Sequence, residues 1–587
     1  MRLKTLLVGG IAAFAFATPA AAQYADEAHD HGAQAQPGQP APPAEPPTPV
    51  SPQIDDLEWQ TELGFEPEMF RSHILFLADD MLEGREAGTR GYDLAARYVA
   101  SQFAGLGLTP GNDGSWYQEV RFGRSTAAEG ARLTVGNQSF ASGEGFIFTP
   151  GVQSQPLNVE APLVFVGYGI DAPTQGHDDY RGLDVRGKVV VMLAGLPEGL
   201  RSDVSAHLGS GRAQMAAARG AIGAIVLRPE AAAAQAPMSR LAGFAGRPAT
   251  TWVNEAGAPG APHQQLRFTA IGDAPLAQTL FAGSRRSWAQ VAADVAAKRR
   301  PAGFALRPRV RAERTAETTN FTSPNVVAII PGSDPALATE YVVLMGHLDH
   351  IGVLPAAEGA DPSVDRINNG AMDNATGIAT LIEVARKFSD PANRPRRPIL
   401  LVASTAEEKG LLGASFLANN PIVDGRIVGV VNLDMPILTY DFEDVVAFGA
   451  EHSEMGPMVE RAARSMNVAL SEDPLPEQGL FTRSDHYPFV QAGIPSVFLM
   501  TGFRNGGEAK FKGFLGGNYH SPRDQLTQPF SWRAGARFAE LNFRIARELA
   551  NTPTAPRWYR GSFFGDTLGG DQQLAPRPAA ATGAGAN

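Results

Sequence analysis

Two neighbouring acids, Glu407 and Glu408, follow an apolar run, Ile399 to Val402, that reads as a buried strand. Like charges side by side repel, and neither carboxylate can enter a core unpaired. Solvation at the start of a helix, where the dipole favours acids, would by itself account for both. The pair therefore has to be weighed with what ends the other strands. After YVVLMG come His347, Leu348, Asp349 and His350. Asp373 stands in NNGAMDNATG just before a helix, Asp434 follows VVN, and His520 lies in GGNYHSPRDQL. Singly, such an aspartate is more often an N-cap than a ligand. Five or six such groups at successive strand ends are not explained by caps. Crowded carboxylates need positive charge, and apart from Lys409 no lysine or arginine recurs at those ends. A pair of divalent cations would supply it. Imidazole with carboxylate and no thiolate suits zinc, with cobalt or manganese as substitutes. An all-oxygen calcium or magnesium site would not need the histidines. Two metals can polarise a carbonyl and lower the pKa of a water between them. Adjacent side chains diverge, so one glutamate can ligate while its neighbour faces the water as general base.

The elements that must hold these groups read as alternating α/β from about residue 323. NVVAII, YVVLM, ILLVAS, IVGVVNLDM and SVFLM are expected strands. NATGIATLIEVARKF, GLLGASFLAN, EMGPMVERAARSM and WRAGARFAELNFRIARELA are expected helices, the first with Ile378, Leu381, Ile382 and Ala385 on one face. Apolar strands alternating with helices mean a largely parallel sheet covered on both faces. In such sheets ligands bind beyond the carboxyl ends of the strands, where the acids and histidines gather. Upstream, Phe70 to Leu82 and Gly91 to Leu106 have helical spacing, separated by the polar EGREAGTRG. Between about 160 and 310, LVFVGYGI, KVVVML and AIGAIVLR read as strands with an alanine-rich helix, Arg212 to Arg219. No convergent set of acids and histidines lies there. GYGIDA lacks the third glycine of a dinucleotide fingerprint and reads as a strand end and turn.

GHLDH, GAMDNATG, TAEEKGLLGA, NLDM, SDHYPF and YHSPRDQL, in this order, resemble the co-catalytic di-zinc aminopeptidase family, which includes bacterial leucyl aminopeptidases and glutamate carboxypeptidases. The resemblance covers about 315 to 550, with an N-terminal part around LADDMLEGREAGTRGYDLAARYVASQFAGLGLTP. VFVGYGIDAPTQGHDDYRGLDVRGKVVVML resembles the protease-associated domain often inserted in these enzymes. The fold implied is a mostly parallel mixed sheet flanked by helices, with an inserted β-rich α/β domain. The resemblance implies that Asp373 bridges two zinc ions, that His347 and Asp434 complete one site, and that Glu408 and His520 complete the other. It implies Glu407 as general base to a metal-bound hydroxide, and Asp349 as the carboxylate that orients His347. Asp485, His486, Tyr487 and Tyr519 are implied near the substrate, with either tyrosine able to stabilise the oxyanion. The implied activity is removal of N-terminal residues from peptides. Carboxypeptidase or dipeptidase action is the alternative within the family, and a non-catalytic binding protein on the same scaffold is the alternative outside it. The complete donor set speaks against the last, and no G-x-S-x-G occurs to support a serine hydrolase.

Composition agrees with that reading. The chain has 587 residues, 44% apolar and 19% charged, enough for two sizeable cores. A net charge of -11 leaves no basic surplus to displace counterions from nucleic acid. MRLKTLLVGGIAAFAFATPAAAQ has a basic start, a short apolar stretch and Ala20-Ala21-Ala22, the pattern of a cleaved export signal. The expected product is periplasmic or extracellular, with no membrane attachment after cleavage. The expected organisation is a signal at 1–22, a proline-rich tether at 23–56, an N-terminal part of the peptidase at 57–135, the insert at 136–315, the catalytic domain at 316–551 and a tail at 552–587.

Overall fold

The computed structural model describes residues 64–578, apart from 153–155, 246, 261–265, 357, 358 and 360. The expected signal and tether lie outside the described residues. Among the described residues no helix is long and apolar enough to cross a membrane.

The main sheet is mixed. Its order is Ala249–Trp252, Tyr117–Ala127, Ala316–Ile330, Ile399–Ser404, Glu340–His347, Arg426–Leu433, Ser496–Thr501, Asp444–Phe448 and Ala469–Ser471. The four strands from Ile399–Ser404 to Ser496–Thr501 run parallel, and the pairings that flank them on either side are antiparallel. The parallel centre is apolar on both faces. Leu344, Leu401 and Val431 pack on one side, while Val343, Leu400 and Val430 pack on the other. Helices Thr376–Ser389 and Trp532–Asn551 cover the first face, and Leu412–Asn419 with Tyr487–Gln491 the second. Thr376–Ser389 would be marginal in isolation at its length, so its stability comes from this packing. The helix stops at Asp390, because the residue before a proline is pushed out of the helical region.

A second sheet has the order Gln138–Ala141, Arg132–Val135, Phe304–Arg314, Leu157–Phe165, Val189–Leu193, Gly223–Leu227, Thr269–Gly272 and Phe146–Phe148. It has its own core around Phe165, Val191, Leu280 and Phe304. The stretch expected at 136–315 as an insert contributes most of this sheet, but the first strand starts at Arg132, and Ala249–Trp252 pairs instead with the main sheet beside Tyr117–Ala127. The strand expected at Leu163 to Ile170 is instead Leu157–Phe165, because Gly167 and Gly169 turn the chain with φ of 61° and 76°. Two further expectations change. The first helix, Pro67–Leu77, ends well before Leu82, where Asp79 accepts from the Met81 N–H and starts a tight turn. The C-terminal segment is no loose tail up to residue 578. Trp558 and Phe564 are buried against the main core, and the Trp558 indole N–H donates to the Gly493 carbonyl.

Candidate metal centre

The sequence-predicted donors converge. Strand Glu340–His347 delivers His347 at its carboxyl end, and Arg426–Leu433 delivers Asp434 one residue beyond its own. The His347 Nε2 atom lies 3.1 Å from Asp373 Oδ1 and 3.2 Å from Asp434 Oδ1. His520 Nε2 lies 3.2 Å from both Asp373 Oδ2 and Glu408 Oε2. The two oxygens of Asp373 therefore face two different groups of donors. Glu407 approaches His347 and Glu408 within the same cluster.

Whether a cation fits there is decided by the donors themselves. The Nδ1 atom of His347 is 3.0 Å from the Asp349 carbonyl oxygen, which can only accept. With Nδ1 donating to that carbonyl, Nε2 is the atom that faces both carboxylates: bare, it would ligate a cation between them, and without a cation those carboxylates keep it charged. Both oxygens of Glu408 are buried and, although imidazole nitrogens come within 2.7 and 3.2 Å, neither oxygen is aligned for a hydrogen bond. His350, Asp373 and Glu408 each offer a ligand atom within 4.8 Å of the others, close enough to share a cation. Histidine and carboxylate together, with no thiolate, fit zinc.

The backbone around the donors is held in unusual conformations. Ala406, Met435 and His520 have φ of 55°, 43° and 52°, and each is a donor or adjoins one. Such values cost of order 1–3 kcal/mol for non-glycine residues and persist where surrounding structure fixes them. Gly370, at φ 59°, has no alternative: a Cβ there would lie 2.2 Å from the Asp373 carbonyl oxygen and 2.7 Å from the His350 ring.

Burial dominates the electrostatics. It raises the Glu407 carboxyl well above its ordinary range, with Glu408, Asp434 and Asp485 adding to it. It pushes Asp349 and Asp524 up to about 6 and Asp485 up to about 7. For His520 burial disfavours the charged ring, but Glu408 and Asp373 outweigh it and raise it to about 10. This is a site with an excess of acid.

The residues expected to support the site make contacts that the sequence did not disclose. Asp349 does orient His347, but through its main-chain carbonyl. Its carboxylate Oδ1 instead accepts the Glu407 N–H at 3.0 Å. Asp485 accepts from the Ser404 hydroxyl beneath the site. His486 is a core residue between Phe481 and Phe498, its Nε2–H donating to the Phe481 carbonyl, and burial lowers it to about 3. The Tyr487 hydroxyl is 2.6 Å from Nδ1 of His207 in the insert. Tyr519 is the tyrosine that stays at the donors, stacked on the His520 ring with centroids 3.8 Å apart.

Sequence reading gave no role to four side chains here. His350 is fully buried with Nδ1 2.7 Å from Glu408 Oε1. Asp524 accepts the main-chain N–H groups of Met372 and Asp373 at 2.8 and 3.0 Å, which pins the loop that carries Asp373. Asn374 accepts the Met435 N–H and donates to the Leu433 carbonyl, tying that loop to the one bearing Asp434. Ser484 donates to Asp434 Oδ2 at 2.5 Å and accepts from Asn432. The Asp524 carboxylate could have been suspected from its place four residues after His520. Ser484 carries no signal of its own. Ser484→Ala should leave the fold intact and weaken zinc retention about 10–100-fold, the usual cost of losing a partner behind a ligand. Competition with a chelator of known affinity measures it, and an unchanged dissociation constant would remove Ser484 from the site.

Residues 325–546 match the model of peptidase family M28. Leupeptin-inactivating enzyme 1 of Streptomyces exfoliatus is 27% identical over 285 residues, covering 46% of this chain and 57% of that protein. A probable zinc metalloprotease of Pyrenophora teres f. teres is 34% identical over 124 residues, 21% of this chain and 24% of that one. The chain thus spans less than two thirds of either relative. Among solved structures, an aminopeptidase from Aneurinibacillus sp. strain AM-1 aligns over 84% of this chain and 95% of its own, at 19% identity and a TM-score of 0.45. A zinc aminopeptidase from Bacillus subtilis aligns over 84% and 97%, at 19% identity and a TM-score of 0.41.

Proposed function

We propose that the chain, whose residues 325–546 match the model of peptidase family M28, is an exported zinc metallopeptidase, an exopeptidase that holds two zinc ions and removes N-terminal residues from peptides. The single observation that carries the two-ion reading is Asp373, whose oxygens each face a separate donor group. His347 and Asp434 would hold one ion, Glu408 and His520 the other, with Asp373 shared. When bound, the ions polarise the scissile carbonyl and lower the pKa of the attacking water.

This chain's own residues do the rest. Glu407 takes the proton from the water and returns it to the leaving amine. The Asp349 carboxylate holds the Glu407 main chain in place through its N–H. Tyr519, stacked on the His520 ring, would donate to the oxygen that gains charge. The choice of the amino end follows from charge. Seven buried acids, Asp349, Asp373, Glu407, Glu408, Asp434, Asp485 and Asp524, stand in this region, which favours an incoming ammonium over a carboxylate. Lys409, beside the site, is already paired with Glu86 at 2.8 Å. Export is supported by the basic, apolar and small-residue pattern of residues 1–22.

Metal analysis of the purified protein, with peptides bearing free or acetylated amino ends, tests this. About two zincs per chain are expected, with release of N-terminal residues that a chelator abolishes and added zinc restores. Cleavage confined to the acetylated peptides would make the protein a carboxypeptidase instead. Protein that binds no metal would overturn the two-ion site.

A further inference from the structure

This inference rests on the two-ion reading above. We propose that Arg85 is a positioning residue of the metal centre, its guanidinium tying the loop of His347 and Asp349 to the loop of Asp373 and so fixing the spacing of the two donor groups.

Arg85 ends a turn in which three successive residues, Glu83, Gly84 and Arg85, have φ of 49°, 68° and 50°. The turn is driven against the site. A Cβ on Gly84 would lie 2.5 Å from the Asn368 carbonyl oxygen and 2.9 Å from the Gly352 Cα. The arginine itself is 1% exposed. Its Nε–H donates to the Leu348 carbonyl at 2.8 Å, between His347 and Asp349. An Nη1–H donates to the Asn369 carbonyl at 2.5 Å and an Nη2–H to the Gly370 carbonyl at 3.0 Å, just ahead of Asp373. Nη1 also donates to the Leu77 carbonyl, which anchors the fork to the first helix. The loops answer in kind. The His350 N–H donates to the Arg85 carbonyl at 3.2 Å, and the Asn369 amide donates to Ala78 and to Asp80.

None of the guanidinium's own bonds reaches a carboxylate. A guanidinium buried among carbonyls alone is costly. Asp524, Asp349, Asp373 and Glu408 offset part of that cost by their charge. A planar fork can hold two loops at a fixed separation, whereas an ammonium on a flexible stem cannot. The feature therefore has the form of a spacer for donors that come from different strands. A guanidinium needed only for folding would affect stability and nothing else.

Two measurements separate these. In wild-type protein, adding zinc should slow amide exchange in residues 78–86 as well as in 347–350 and 370–374, although 78–86 supplies no donor. Arg85→Lys should weaken zinc affinity about 10–100-fold and lower kcat, with KM nearly unchanged and excess zinc restoring part of the loss. Arg397→Met is the comparison. It removes another fully buried guanidinium, paired with Glu340 at the opposite end of the strands, and should lower Tm while leaving zinc affinity alone. If 78–86 ignores zinc while the donor loops respond, or if Arg85→Lys binds zinc as wild type does, the proposal is wrong. Should Arg85→Lys fail to fold, the exchange experiment on wild type decides alone. Donor loops that also ignore zinc would defeat the two-ion reading itself.

Discussion

Glu407→Gln should reduce kcat by roughly 10²–10⁴-fold, the contribution of a single positioned base, while zinc content, Tm and KM stay near wild type. The amide has the same shape as the carboxylate but cannot accept the proton. Nothing else about the position need change. The Glu407 N–H bond to Asp349 is a main-chain contact, and the left-handed turn at Ala406 precedes the side chain. Loss of a charge from a crowded set of acids relieves repulsion, so the variant has no reason to unfold. Steady-state kinetics with metal analysis of the same sample checks this. Full turnover in a folded, zinc-loaded Glu407→Gln would remove the base from the mechanism.

Asp373→Asn is expected to be worse. One side of the new amide is an –NH₂, a donor that must face either the His347 and Asp434 group or the His520 and Glu408 group. Whichever it faces loses a ligand, and the bridge between them is gone. Zinc content should fall below one per chain, and turnover should fall by more than ~10²-fold, since loss of an outer partner alone costs up to that much. The fold should survive, because the Asp373 main chain stays bonded to Asp524 and Asn374 still ties the loop to Leu433. Retention of two zincs by Asp373→Asn would show that it does not bridge.

What the sequence revealed and what it hid divide along a physical line. His347, Asp373, Glu408, Asp434 and His520 were legible because a parallel sheet places its carboxyl ends together. Apolar runs such as ILLVAS locate those ends in the chain. Glu407 was legible as the second of two acids with no common role. Arg85 was not. Its partners are carbonyls up to 285 residues away, and a carbonyl belongs to every residue alike. Ser484 and Asn374 were hidden for the same reason, since each acts on a loop whose path is unknown until the fold is. Asp485 and His486 were legible only as neighbours of a motif. Their neighbourhood in the chain resembled a substrate-facing segment, but packing turned one to Ser404 and the other into an aromatic core. In the fold, the polar first half of Ala316–Ile330 carries too few apolar residues to announce a strand, and its length follows from pairing with Tyr117–Ala127. The short C-terminal stretch around Trp558 and Phe564 holds large buried side chains but no run long enough to display a period.

The strand Ala249–Trp252 has a consequence for how the protein behaves in crowded solution. Ala127 and Ala316 are register partners, so the chain leaves and re-enters the main sheet at one point, and the whole insert is topologically a hairpin loop. A two-residue turn in its place would preserve every rung between the two strands. What it would remove from the sheet is the pairing of Ala249–Trp252 with Phe122 to Ser125. Tyr117–Ala127 would then present a row of open N–H and C=O groups, the template on which identical chains add to one another. The strand Ala249–Trp252 thus covers an edge on which identical chains would otherwise be able to pair.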